Sequence, residues 1–198
     1  MKKKQKRLVL TAALVLIVAL SLMWWSEKTK AEQTVGLNVI IYHIDGTVEV
    51  YQRPQGAGQL SVIVGSYAIS RIVVVVQIDW TLTGVLSEGT GSGTVRFLLD
   101  GAEKKAVPIS GKLLGGGGQI GGEQQGCQVT ASEIESWDAG AYTTHTLALT
   151  ASITATAKFT DGTQVSKSGT AQTNVTVSVQ RTGAITAMNI QFVNQIMY

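Results

Sequence analysis

His43 and His145 are the only imidazoles in the 198 residues, and Cys127 is the only thiol. That inventory bounds the chemistry. A zinc centre takes three or four ligands, and nothing in the spacing of these three residues gathers them at one place. A Ser-His-Asp relay would have to use one of the two histidines, and no GxSxG elbow accompanies either. Asp79, Asp100, Asp161 and Glu88 lie near expected loops, but no DxDxDG calcium loop is formed. Asp45-Gly46 and Asp161-Gly162 read as turns. Glu133 and Glu135 share a face only if that stretch is extended, which does not define a glycosidase pair. The chain is therefore read as non-enzymatic, with no metal and no cofactor.

Three positions remain open to other chemistry. Cys127 has no intrachain partner, so it is read as buried or idle, with an intermolecular disulfide as the alternative. Asn174-Val175-Thr176 is an N-glycosylation sequon, and its even position turns Asn174 away from the expected core. The segment Val35, Leu37, Val39 and Ile41 is a candidate assembly strand, able to complete a neighbour's sheet edge.

Two glycine-rich stretches invite a nucleotide reading and do not support it. KLLGGGGQIGGEQQG (112–126) has neither the lysine-Ser/Thr pair of a phosphate loop nor a GxGxxG after a strand. Its four consecutive glycines lose the most backbone entropy on ordering, so a mobile loop is expected. GVLSEGTGSGT (84–94) is read as a glycine and serine loop.

The elements that would position these residues begin with an apolar run. Leu8 to Trp25 carries no charge and follows Lys2, Lys3, Lys4, Lys6 and Arg7. As a helix it is about 27 Å long, close to the hydrocarbon thickness of a bilayer. The expectation is a single-pass signal-anchor with its N-terminus cytoplasmic and the rest outside, or a cleaved signal peptide and a secreted or cell-surface product. The lipid bilayer is then the partner of residues 8–25. Seven of the 16 basic residues but one of the 13 acidic residues precede residue 31, leaving nine against 12 beyond it. The net charge of +3 is thus a topogenic feature, and no basic patch interleaved with aromatics offers itself to nucleic acid.

Residues 26–34 form a polar stalk in this reading, and residues 35–198 one β domain. Asp45-Gly46 marks a hairpin. From Ile69 to Gly84 the even positions Ile72, Val74, Val76, Ile78, Trp80 and Leu82 make an unbroken apolar row, while the odd face is apolar only in its first half. ASEIESWDAG (131–140) is the one expected helical turn. From His145, HTLALTASITATAKFTDGT alternates Leu147, Leu149, Ala151, Ile153, Ala155, Ala157 and Phe159 with mostly Thr and Ser. Val175, Val177 and Val179 continue the odd parity after Gly162. A two-residue loop at Asp161-Gly162 would set the two apolar rows on opposite faces, whereas a three-residue loop pairing Phe159 with Thr163 keeps them together. The small inner row of alanines calls for a close partner, either a second sheet or a neighbouring subunit.

The expected fold is an all-β antiparallel β-sandwich, Ig-like or jelly-roll-like, preceded by one N-terminal transmembrane or signal helix. The expected function is that of a membrane-anchored envelope or cell-surface structural or assembly protein. The alternatives are a secreted filament subunit assembling by β-strand addition and a glycan- or protein-binding adhesion module. The last would use loops 84–93 and 115–126, with Trp137 and Tyr142 as the nearest aromatics.

Overall fold

The computed structural model describes residues 32–52, 59–63, 67–193 and 195–197. In chain order the strands are β1 (Glu32–His43), β2 (Val48–Tyr51), β3 (Gln59–Ile63), β4 (Ile69–Thr81), β5 (Leu86–Leu99), β6 (Ala102–Lys112) and β7 (Gly117–Gly121). A 3-10 turn (Glu123–Gln125), β8 (Gln128–Thr130) and helix α1 (Ala131–Asp138) follow. β9 (Thr144–Phe159), β10 (Gln164–Val179), β11 (Ile185–Val193) and β12 (Gln195–Met197) complete the described chain.

These elements form two six-stranded antiparallel sheets. In the first, the long strands β1 and β4 pair side by side from Glu32↔Thr81 to His43↔Ile69. Short strands lie in line along each flank, β12 and β2 beside β1, β7 and β8 beside β4. The second sheet runs β3-β11-β10-β9-β5-β6. The core lies between the sheets and is built by parity. Val35, Leu37, Val39 and Ile41 of β1 and Ile72, Val74, Val76 and Ile78 of β4 are all at most 1% exposed. Each such side chain, removed from water, contributes roughly 1.5–3 kcal/mol.

The β9–β10 hairpin has the three-residue loop that hydrophobic parity requires. Gln164 faces Lys158, Val175 faces Leu147 and Gly169 faces Ile153. Phe159 N–H donates to Thr163 O at 2.9 Å and Gly162 N–H to Phe159 O at 3.0 Å. Gly162 sits at φ 85°, a left-handed conformation in which glycine carries no Cβ penalty. Both apolar rows accordingly share one buried face.

The two glycine-rich stretches are strands, not loops. β5 takes in Gly89, Gly91 and Gly93, and β7 is Gly117–Gly121 itself, paired with Val75–Asp79 of β4. The physical reason is close approach. A Cβ on Gly91 would stand 3.1 Å from Ile78 and 3.3 Å from Ile120, and one on Gly117 would collide with the carbonyl of Ile78. Gly89, Gly91 and Gly93 alternate with Thr90, Ser92 and Thr94, the same two-residue period as the threonine ladder, with glycine as its inner row. In register these glycines lie beside Ala157, Ala155 and Ile153. The close partner of this small inner surface is therefore the first sheet of the same chain.

Two further expectations are corrected. The strand order fits neither an Ig-like nor a jelly-roll-like sandwich. Among the described residues there are twelve strands, with two long ones at the centre of one sheet flanked by broken edges. No helix among the described residues is long and apolar enough to cross a membrane. The expected span, residues 8–25, lies outside the described residues. What the described residues show is a two-sheet β domain, with no described helix to supply the expected anchor or its bilayer contact. β1 begins at Glu32, inside the segment expected to be stalk.

α1 forms where expected and for local reasons. Thr130 Oγ1 accepts from Glu133 N–H at 3.2 Å, and Glu133 Oε2 accepts from Thr130 N–H at 2.7 Å, a reciprocal capping box. Ile134 is fully buried and Trp137 packs against the core. The helix thereby carries the chain from the first sheet to the second.

Candidate functional site

The densest cluster of polar chemistry lies where α1 meets the second sheet. Asp100 and Gly101, at φ 50° and 83°, form the two-residue turn between β5 and β6. The pairing of Leu99 with Leu147 sets this turn beside the start of β9. Asp138 is the last residue of α1. Between the two carboxylates stands His145, whose Nδ1 is 2.6 Å from Asp100 Oδ2 and whose Nε2 is 2.6 Å from Asp138 Oδ1. The remaining oxygens accept backbone donors: Asp100 Oδ1 from Thr146 N–H at 2.9 Å, Asp138 Oδ2 from Tyr142 N–H at 2.8 Å. The hydroxyl of Thr143 also lies 3.0 Å from Nε2.

Two acceptors at this distance favour the ring carrying both protons. The hydrogen bonds to Asp100 and Asp138 raise the His145 pKa above the ordinary imidazole value, outweighing desolvation. The same bonds hold both carboxyls below the usual aspartate range, with the backbone donors contributing. An imidazolium donating on both sides has no free lone pair for a metal or for proton abstraction. Chemically the arrangement is a clamp.

The backbone around the clamp is strained. Among the described residues the non-glycine positions with positive φ are Asp100, Ala139 and Tyr142, at 50°, 53° and 52°. Each such residue costs of order 1–2 kcal/mol. All three adjoin the clamp.

The outer face of the second sheet is the other candidate. Ser110 faces Ser92, Ser92 faces Thr154, and Thr154 faces Ser168, one hydroxyl row across four strands. Thr90, Thr156 and Ser166 form a parallel row on one side, Thr94, Ser152 and Thr170 another on the other. Thr154 and Ser168 lie 2.7 Å apart through their hydroxyls, Thr156 and Ser166 2.8 Å apart. Strand geometry spaces such a grid about 4.8 Å across and about 7 Å along the strands. Two ion pairs flank it, Lys158 with Glu88 at 2.8 Å and Arg96 with Glu103 at 3.2 Å. Its centre is uncharged.

The other sequence candidates scatter over the molecule. Asn174 is half-buried on this same outer face, its Oδ1 accepting from Gln172 at 2.8 Å. Cys127 is a free thiol with no exposure, and burial pushes its pKa up to about 11. A disulfide to another chain would need this segment to open. Val35, Leu37, Val39 and Ile41 occupy the inner row of β1, which is paired on both flanks. His43 ends that row, buried, edge-on to Tyr67 and 3.4 Å from Glu49, far from His145 in the sequence and on the other sheet. Glu133 is committed to the capping box and to Lys105 at 2.9 Å. Of the two aromatics nearest the expected glycan loops, Tyr142 is 45% exposed and Trp137 packs on the core. Most of 84–93 lies in β5, and 117–121 of the other expected loop is β7.

Reading the sequence singled out His145 but not its partners. Asp100 and Asp138 are 45 and 7 residues from it, and only the β5–β9 pairing and the end of α1 bring them together. No protein-family model matches the chain, and neither a characterised relative nor a solved structure resembles it.

Proposed function

We propose that this protein is a non-enzymatic subunit of a secreted or cell-surface structure, and that the hydroxyl face of the second sheet is its assembly surface. The in-register row Ser110–Ser92–Thr154–Ser168 carries the reading. Hydroxyls donate and accept, so such a grid is complementary to a second copy of itself. Flanking charges are neutralised as two ion pairs, Lys158 with Glu88 and Arg96 with Glu103, which lowers the repulsion between like surfaces, and Lys112 stands at the β6 edge opposite Thr90. Sheet extension through β6 is disfavoured. Pro108 lacks an N–H, and the Gln125 side chain takes both backbone groups of Ser110.

Sedimentation velocity over a concentration series tests this. Association should rise with concentration, and Ser92→Lys alone should weaken it with little change in the thermal midpoint. A wild-type protein that stays monomeric throughout would sink the reading.

A second reading is strand exchange through β1. One observation favours it: β1 supplies a complete core row, and on the flank away from β4 only the short strands β2 and β12 pair with it. Asn38 faces Val75 across the β1–β4 pair. Cysteines at these two positions should give covalent multimers if the strand is exchanged, and only an intrachain bridge if it is not.

A further inference from the structure

We infer that α1 and the residues after it, 131–143, form a pH-released clasp over one end of the sandwich, held shut by the His145 ring between Asp100 and Asp138. The segment closes the core where the two sheets meet. Ile134 is fully buried, Trp137 packs on the core, and Val179 N–H donates to Thr143 O at 3.0 Å. Beyond the helix the chain is strained at Ala139 and Tyr142, and the Asp138 carboxylate holds that strained turn through Tyr142 N–H.

The groups facing the ring define how the clasp responds. Asp138 comes from α1 and Asp100 from the β5–β6 turn, while Val177, opposite on β10, is apolar. On its own segment the neighbours are the hydroxyl of Thr143 and the backbone of Thr146. Among the described residues no other cation pairs with either carboxylate. A protonated ring satisfies both. A neutral ring has one N–H for two anions, so one carboxylate must face a lone pair. The Asp100 side chain is 56% exposed and can turn to water, whereas that of Asp138 is 0% exposed. The retained N–H therefore goes to Asp138, the Asp100 arm is released first, and the bond left on Asp138 is weaker because it is no longer charge-assisted.

The sign follows from linkage. The His145 pKa is raised on folding, so its contribution is complete below the ordinary imidazole range and is lost as pH rises through the folded value. The Asp100 and Asp138 pKa values are lowered, so theirs is present above the ordinary aspartate range and lost as pH falls through the folded values. The clasp is closed between these limits and loosens on either side.

Site-resolved amide exchange on the wild-type protein, corrected for the intrinsic pH dependence, tests this together with the 15N resonances of His145. At pH 6 both ring nitrogens should be protonated. As the ring loses its proton, protection of the Thr146 and Tyr142 amides should fall by about tenfold or more. The amide of Ala151, in mid-strand, should not change. Asp138→Asn should remove the step at Tyr142. A singly protonated ring at pH 6, unchanged protection through the titration, or loss of protection at Ala151 in parallel would each overturn the proposal. None of these readouts depends on assembly through the hydroxyl face.

Discussion

The indole of Trp80 lies on the bare backbone of Gly89: a Cβ at residue 89 would stand 2.8 Å from the ring and collide with the carbonyl of Leu113. Trp80 Nε1–H also donates to Leu114 O at 2.6 Å, so the ring is fixed along its edge as well as its face. Gly89→Ala should therefore destabilise the fold by about 1–3 kcal/mol through overpacking. Urea titration should show a lower midpoint at unchanged slope. Gly115, where an added methyl would meet no atom within 4 Å, is the control, and Gly115→Ala should change stability by less than about 0.5 kcal/mol.

Gly162 offers the opposite case. A Cβ there meets no atom within 4 Å, yet φ is 85°. Gly162→Ala should cost about 1–2 kcal/mol from backbone conformation alone, and Gly162→Asn less, because asparagine tolerates the left-handed region. Thermal unfolding of the two variants side by side checks this ordering.

Cys127 should be nearly inert in the native protein. Its thiol is fully buried and pushed up to about 11, against an ordinary value of 9.0. At pH 8 a thiol reagent should modify it on the order of 100-fold more slowly than in denaturant, since the thiolate is the reacting species. Equal rates would show that the β7–β8 connection opens freely.

Gln125 mimics a strand at the exposed edge of β6. Its amide accepts from Ser110 N–H and donates to Ser110 O, both at 3.0 Å. Gln125→Ala should cost about 0.5–1.5 kcal/mol for the lost pairing. It should also leave an open edge, and the variant should aggregate faster than wild type on light scattering at equal unfolded fraction.

Alternation was the most legible property of the sequence. The β4 faces and the loop at residues 160–162 follow from counting odd and even positions, and the turn at Asp45-Gly46 from its dipeptide. Parity was missed only where glycine replaced the inner residues. Gly89, Gly91 and Gly93 read as flexibility because a side chain reduced to hydrogen gives no hydrophobic signal, although the Thr and Ser between them kept the period. The clamp was illegible for a different reason. Its members come from a turn, a helix end and a strand start, and a long-range strand pairing unites them. Nothing local marks Asp138 as the partner of His145.

The glycines of β5 have one more consequence. Within a sheet, hydrogen bonds set the alignment of neighbouring strands; between facing sheets, side-chain volume must do it. The inner row of β5 grows from Gly89, Gly91 and Gly93 to Val95, Phe97 and Leu99, while that of β4 ends in its bulkiest member, Trp80, seated on the smallest. Sliding one sheet so that Trp80 moved toward Val95 and Phe97 would leave the indole no room. The absent side chains thus act as a keyway, carrying the positional information that joins two otherwise repetitive surfaces in a single alignment.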